Sequence, residues 1–329
     1  MTTDTRAAAA GPAAAWPAAP ADRAATCSPT RSPAPSGDGS ATSSAKTSNH
    51  MSTTTFPNAS TATSTTESHA VVTHDRWIAA RKQLLAREKA LTSLGDEVAR
   101  ERRALPWVRI DKDYVFDTPQ GPRSLADCFD GRSQLIVQHL MFAPGWENAC
   151  KSCSFMADHT DPTLPHLAQR DVSFIAVSRA PVADIERFKA RMGWGFDWVS
   201  SQRSDFNFDF NVSFTPEERA RGETYYNFGI VSFGAEEMPG VSVFLKDEDG
   251  TIYLTYSTYG RGVEVMMHTY RFLDLLPKGR DEEGLEHSMS WVMHHDRYPK
   301  RPGRVDGGTA TTAAAVSPAA PTGDCCARG

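Results

Sequence analysis

The apolar residues of this chain are confined to its middle. No Leu, Ile or Val precedes Val71, and Ala, Thr, Ser and Pro account for 50 of the first 70 residues. Residues 303–329 have a similar Ala-, Thr-, Pro- and Gly-rich composition. Such segments bury too little apolar surface to offset the entropy lost on ordering, so we predict disorder for 1–70 and 303–329. One domain is expected at 71–302, a length that readily forms one core.

Charge and hydropathy argue against several functions. The formal net charge is −5 at pH 7, whereas nucleic-acid binding normally requires a basic surface, so we expect no nucleic-acid partner. No run approaches the roughly 18 apolar residues of a spanning helix, and the first residues lack the apolar core of a secretory signal. We therefore expect a cytoplasmic protein with no membrane partner. The sequence leaves open whether translation starts at Met1 or at Met51, which precedes another Ser/Thr-rich run.

A heptad pattern marks the start of the expected domain. Arg, Lys and Glu dominate residues 75–105, but an apolar residue recurs at every seventh position: Trp77, Leu84, Leu91, Val98 and Leu105. This spacing predicts a long helix over 75–105, which Pro106 ends. We interpret its apolar stripe as a packing face, and a homodimer seam is the alternative.

The chain after this helix alternates between strand and helix patterns. Strand-like apolar runs occupy 134–142, 172–177, 198–200, 241–245 and 252–255. Helical patterns begin near Cys150 and cover 182–192 and 262–276. Strands that alternate with helices, followed by a hairpin and a last helix, predict a layered α/β fold with a mixed sheet.

The motif Cys150-Lys-Ser-Cys153 is the most informative chemical signal. It follows the first long apolar run by a seven-residue loop and begins a helix. Unpaired N–H groups and the helix dipole stabilise a thiolate at that point, so Cys150 is expected to be the reactive thiol. Cys153 lies one turn further on, within reach of a mixed disulfide. The positive charge of Lys151 favours the thiolate, and the carboxylate of Glu147 opposes it if it faces the sulfur.

A zinc site and a pair of inert buried thiols are the alternatives for this motif. A four-cysteine zinc site needs a second CxxC, which the chain lacks, although three histidines are available as ligands: His139, His159 and His166. We therefore expect no bound metal.

For the other cysteines and histidines we expect structural or surface roles, with functional alternatives for two pairs. Cys128 is expected to be a small buried hydrophobe. Cys325 and Cys326 form a vicinal pair in the tail, either incidental or a thiol shuttle. His294 and His295 are expected to cap or lie on the surface, with a ligand or acid/base pair as the alternative, because adjacent side chains point apart on regular elements.

The order of these elements resembles the thioredoxin fold, with Met238-Pro239 placed directly before the hairpin. Several runs also resemble a bacterial thioredoxin-like family of uncharacterised function, among them Gln-His-Leu-Met-Phe-Ala-Pro-Gly-Trp-Glu, Val-Ser-Arg-Ala-Pro and Trp-Val-Met-His-His-Asp-Arg-Tyr. The resemblance covers about residues 77–298. It implies a thioredoxin-like three-layer α/β/α sandwich with a mixed central sheet.

The resemblance implies a thiol–disulfide oxidoreductase. In that reading Cys150 attacks a substrate disulfide, Cys153 resolves the intermediate, and Met238 before a cis Pro239 holds the substrate backbone, with Trp146 beside the motif. No bound cofactor is expected. The partners are a disulfide-containing protein or small thiol substrate and a thiol reductant. The competing class is a non-catalytic thioredoxin-fold binding module with a structural or vestigial cysteine pair.

Two departures from related proteins shape these expectations. An insert at 200–239 is rich in aromatic residues, which either pack in the core or form a substrate-binding face. Peroxiredoxins resemble this order of elements, but Ala143 and Glu147 stand where their motif has a proline and an oxyanion-binding threonine. Peroxidase chemistry of that type is therefore not expected.

Overall fold

The computed structural model describes residues 69–232 and 234–299. Most of the predicted disordered ends, with Cys27, Cys325 and Cys326, lies outside the described residues, as does Phe233 of the insert.

Helices and strands alternate through most of this region. The α-helices are α1 (His74–Ala104), α2 (Lys151–Ala157), α3 (Leu164–Ala168), α4 (Val182–Met192), α5 (Phe206–Asp209), α6 (Pro216–Ala220) and α7 (His268–Leu273). The strands are β1 (Val108–Arg109), β2 (Val115–Thr118), β3 (Gly121–Ser124), β4 (Gln134–His139), β5 (Val172–Ser178), β6 (Asp197–Ser200), β7 (Thr224–Tyr226), β8 (Gly229–Val231), β9 (Gly240–Lys246) and β10 (Ile252–Tyr259). Short 3-10 segments occupy Asp127–Phe129, Asp161–Thr163, Gly260–Met266 and His295–Arg297.

The main sheet is mixed, as predicted. Its strand order is β1-β10-β9-β4-β5-β6-β2-β3, while β7 and β8 form a separate hairpin. Strands β4, β5 and β6 are parallel, and β9 pairs antiparallel with both β4 and β10. No residue of the central β4 or β5 is exposed, because both faces of these strands are covered. Strands β10, β9, β4, β5 and β6 are consecutive in this sheet, and α2 follows β4 directly in the chain. This arrangement is the thioredoxin-like architecture.

Two different layers cover the sheet. On one face, α2 and α4 pack through Cys153, Ala157, Ile185 and Phe188, and Tyr270 of α7 packs beside α2. On the other face the second layer is built from the 3-10 segment Asp127–Phe129, α5 and the aromatic rings of the insert. The α/β/α sandwich is therefore present, with one helical layer reduced to short segments.

The predicted helix over 182–192 has the same bounds as α4. Its apolar positions recur on one face, and Gly193 ends the helix in the left-handed region at φ 68°.

The last helix is different from the prediction. A 3-10 segment covers Gly260–Met266, and Met267 has non-helical torsions before α7 begins. This break lets Val263, Met267 and Tyr270 all enter one apolar cluster.

The long first helix is confirmed, but its packing face is not. No residue of α1 is buried; Trp77 is 52 % and Leu91 69 % exposed. Near its end the Arg102 guanidinium lies over the Tyr256 ring, 5.5 Å from the centroid. The described part of the chain therefore leaves the apolar stripe uncovered, since a heptad pattern specifies a face and not the surface that covers it.

Most aromatic residues of the insert belong to the core. Four of them, Phe206, Phe210, Phe214 and Tyr226, are buried in the cluster on one face of the sheet. Tyr225 and Phe228 remain exposed. Core packing is therefore the main role of these rings.

Candidate functional site

The two cysteines of the motif lie where the sequence placed them. Cys150 is the N-cap residue of α2, and its N–H donates to the Met141 carbonyl at 2.9 Å. Cys153 is one turn inside the helix and buried, whereas Cys150 is partly exposed. The chain between His139 and Cys150 has left β4, so the thiols lie at the carboxyl end of the central parallel strands. One thiol is thus accessible and its neighbour is shielded.

The surroundings shift the pKa values of the two thiols in opposite directions. The pKa of Cys150 is lowered to about 6, first by a hydrogen bond from the Cys153 thiol and then by the N–H groups of Cys153 and Ser152, against the effect of burial. The charge of Lys151 acts in the same lowering direction. The predicted thiolate at Cys150 therefore has a geometric basis. Glu147 is exposed, and its charge helps to raise the pKa of the Arg191 guanidinium.

Cys153 is shifted the opposite way. Its pKa is raised well above the ordinary value because its proton is held by the Cys150 sulfur and because it is buried. The backbone N–H of Met141 lowers the pKa, and the charge of Glu237 raises it. A side chain on β4, Gln138, donates to the Cys153 carbonyl at 3.2 Å and ties α2 to the sheet.

The predicted cis bond before Pro239 is wrong, and the substrate-binding role of this segment stays a prediction. The Met238–Pro239 bond is trans, because no cis peptide occurs among the described residues. The Met238 N–H donates to the Val212 carbonyl at 2.8 Å, and the Pro239 carbonyl accepts a bond from the Tyr226 hydroxyl at 2.7 Å. The insert therefore uses the groups that the resemblance reserved for a substrate. Trp146 packs, half-buried, against the same cluster as Cys150 and Cys153.

A buried ion pair beside the dithiol was missed from the sequence. Glu237 is only 1 % exposed, and its carboxylate accepts from Arg179 at 3.0 Å and from Ser213 at 2.7 Å. Burial raises the pKa of Glu237 to about 7, against these two contacts. Arg179 also lies over the Phe208 ring, 4.7 Å from its centroid. Arg179 and Glu237 are 58 residues apart, so no local pattern could have paired them.

The end of the described chain folds across the motif. We call residues 288–298 the C-terminal strap. Lys151 donates to the Ser290 carbonyl at 2.9 Å, and His294 Nε2 lies 2.9 Å from the Ala149 carbonyl. His294 therefore bonds a loop carbonyl beside the motif, and it makes no side-chain capping bond to the 3-10 segment that follows it. His295 bonds Asp158 at 2.7 Å at the end of α2.

The histidines considered as zinc ligands lie apart from the dithiol. His139 is buried on the opposite face, stacked on Phe206 and Phe210, with Nε2 2.9 Å from the Ser242 hydroxyl. Burial lowers the pKa of His139 to about 3. His159 instead bonds Thr269 at 2.7 Å. Within the described residues, no group of three or more His, Cys, Asp or Glu side chains is arranged to hold a metal ion.

The third cysteine of the described region is inert. Cys128 is buried in the core, and this burial raises its pKa to about 12. It behaves as the small hydrophobe that the sequence predicts. Among the described helices, none combines the length and apolar character that crossing a bilayer requires.

The strand order and the dithiol at the start of α2 define a thioredoxin-like protein with a CxxC motif. Residues 66–298 match a bacterial protein family of unknown function (DUF899), and the chain belongs to that family. The family resemblance stated from the sequence is confirmed. No match was found among curated proteins.

Solved structures with some similarity to this chain have low sequence identity to it. The peroxidoxin BcpB from Mycobacterium tuberculosis is 14% identical, with 49% of this chain and 93% of that chain covered and a TM-score of 0.33. A putative thiol:disulfide interchange protein DsbE from Chlorobium tepidum is 14% identical, with 50% and 97% covered and a TM-score of 0.30. At these scores, no feature of either protein is carried over to this chain.

Proposed function

We propose that this protein is a thiol–disulfide oxidoreductase that uses the Cys150/Cys153 dithiol. The observation that carries the proposal is the opposite shift of two adjacent thiols: Cys150 has a pKa of about 6 and Cys153 a raised one. A nucleophile that is ionised at neutral pH beside a protonated partner is the arrangement that disulfide exchange requires.

The reaction proceeds in two exchanges. The Cys150 thiolate attacks one sulfur of a substrate disulfide, the S–S bond breaks, and the first substrate thiolate leaves and takes up a proton. Cys153 then loses its proton and attacks Cys150 Sγ, which releases the second substrate thiol and leaves a Cys150–Cys153 disulfide. The substrate gains two electrons and the protein loses two. An external thiol reductant restores the dithiol, so no bound cofactor takes part.

The surroundings of the site support this sequence of steps. The partly exposed Cys150 can meet a substrate, while Cys153 is reachable from Cys150 within the same helical turn. The proposal locates the protein in the cytoplasm, where free thiols such as Cys128 and the dithiol stay reduced between turnovers. The competing class is a non-catalytic binding module. A structural cysteine pair needs no ionised member, so the lowered pKa of Cys150 favours the oxidoreductase.

Alkylation of the reduced protein between pH 4.5 and 9 tests the proposal. We expect iodoacetamide to modify Cys150 first, with a midpoint near pH 6, because roughly 90 % of such a thiol is ionised at pH 7. Mass spectrometry reads the modification site by site, and Cys128 is the internal control that reacts after unfolding. Mild oxidation is expected to link Cys150 reversibly to Cys153. First reaction at Cys153, or failure to form this disulfide, would favour the binding module.

A further inference from the structure

The C-terminal strap is fastened on both sides of the motif. Arg191 of α4 holds Asp296 through two bonds of 2.8 Å, beyond the contacts of Lys151 and His294 described above. The His294 ring also packs on Phe188, with 5.2 Å between centroids. Val292, in the middle of the strap, is fully buried. The strap is therefore a packed part of the domain that lies next to the reactive sulfur.

Three backbone groups beside the motif already have partners within the chain. An extended substrate chain is held mainly by main-chain hydrogen bonds, as in strand addition. Here the Ala149 carbonyl is paired with His294, the Met238 N–H with Val212, and the Pro239 carbonyl with Tyr226. Each of the two carbonyls can still accept a second bond, so only the Met238 N–H is closed to an added strand. The strap itself, bonded to Lys151 and to the Ala149 carbonyl, is the obstacle that a protein substrate must move before its disulfide reaches Cys150.

A small disulfide meets no such obstacle. Cys150 remains partly exposed although the strap is in place, and a compact molecule needs access to the sulfur alone. We infer that the strap restricts Cys150 to low-molecular-weight disulfides and excludes disulfides held in folded proteins. The inference rests on the proposed function, and it selects one of the two substrate classes that the sequence left open.

Turnover by the full-length protein tests this inference with two probes, 2-hydroxyethyl disulfide and insulin, each with dithiothreitol as reductant. If the strap opens about 1 % of the time, turnover of a substrate that requires opening falls about 100-fold. We therefore expect the double variant His294→Ala with Asp296→Asn to raise kcat/KM for insulin at least tenfold. Its kcat/KM for 2-hydroxyethyl disulfide is expected to stay within twofold of wild type.

Two further variants make the comparison specific. The single variant Asp296→Asn is the milder change should the double variant fold poorly, and an intermediate gain on insulin is expected. Asp205→Asn removes an exposed ion pair with Lys112 elsewhere and is expected to alter neither rate. Equal wild-type efficiency on both probes, with no gain from loosening the strap, would overturn the inference and leave the proposed function standing. A wild type that reduces neither probe would contradict both.

A separate observation concerns the uncovered stripe of α1. Charge is distributed unevenly along the middle of this helix: residues 81–89 hold four basic and one acidic side chain, and residues 93–101 hold three acidic and one basic. The last turn then adds Arg102 and Arg103. The heptad residues lie symmetrically about Leu91 at spacings of seven, and all of them except the partly buried Val98 are exposed. We propose that a second copy of the chain covers the stripe as an antiparallel helix pair centred on Leu91.

This pairing satisfies both patterns at once. It places Leu84 of one copy opposite Val98 of the other, and it lays the basic segment 81–89 of each copy beside the acidic segment 93–101 of the other. Arg81, which pairs with Glu88 within the helix at 2.8 Å, then also lies beside Glu101 of the second copy. The same face of both copies is used, as a closed two-fold dimer requires.

Light scattering coupled to gel filtration of the full chain tests the pair. We expect a dimeric mass for wild type, a monomer for Leu91→Glu, and weakened association for Arg81→Glu that the added change Glu101→Arg restores. Leu275→Glu, at an exposed apolar residue outside α1, serves as the control and is expected to remain dimeric. A monomeric wild type, or an Arg81→Glu effect without rescue, would contradict the proposal.

Discussion

Replacing Cys150 with serine is expected to lower disulfide turnover at least ~10³-fold while the fold is kept. A serine hydroxyl stays protonated at neutral pH, so the nucleophile is lost although the side chain keeps its size. The measured quantity is kcat/KM for 2-hydroxyethyl disulfide with dithiothreitol. Because serine suits an N-cap position and its oxygen can accept from the same helix N–H groups, we expect the thermal midpoint to change little.

The partner variants separate the roles of the thiols. Cys153→Ala is expected to stop turnover after the first exchange, so that a mixed disulfide accumulates on Cys150. It should also raise the pKa of Cys150 towards ~8.5, the free-thiol value, because the main cause of the lowered pKa is the hydrogen bond from Cys153. Cys128→Ala is the matched control and is expected to keep turnover. If Cys150→Ser and wild type had the same kcat/KM for 2-hydroxyethyl disulfide, Cys150 would not be the nucleophile, and the binding module would be the better interpretation of the cysteine pair.

The local parts of this site were predictable because they depend on neighbours in sequence. A largely apolar run predicts the buried strand β4, and the CxxC at its helix junction predicts Cys150 at the helix start with a shielded Cys153 one turn further on. The amphipathic spacing of α4 likewise determines its bounds. Each of these features follows from the period of the side chains and from the unpaired N–H groups at a helix start.

The parts that failed depend on contacts between distant residues. Pro239 precedes a strand in the expected position, but the insert supplies Val212 and Tyr226 as partners for this segment, and the bond is trans. His294 reaches the Ala149 carbonyl across 145 residues. A sequence pattern reports which side chains share a face and does not report which surface meets that face. The exposed stripe of α1 shows the same limit.

The sequence left open whether the aromatic residues of the insert pack in the core or form a substrate surface. A substitution at Phe206 tests this experimentally. This ring is fully buried at 0 % exposure and lies 5.0 Å from both the Tyr114 and Phe116 rings, with Phe210 at 4.5 Å. It also stacks on His139 of β4 at 5.6 Å. One residue of the insert thus joins β2, β4 and α5 in a single cluster.

Phe206→Ala is expected to lower the free energy of unfolding by about 3–5 kcal/mol, since truncation removes the buried ring and leaves a cavity that close-packed neighbours cannot fill. Urea denaturation of the full chain measures this loss. Phe228→Ala removes the same group from the same insert at a site that is 67 % exposed, and a change within ~0.5 kcal/mol is expected there. A loss below about 1 kcal/mol at Phe206 would show that the insert is not part of the core. In that case its aromatic rings would have to be explained as a binding surface, and the sheet would need another cover for the face opposite the dithiol.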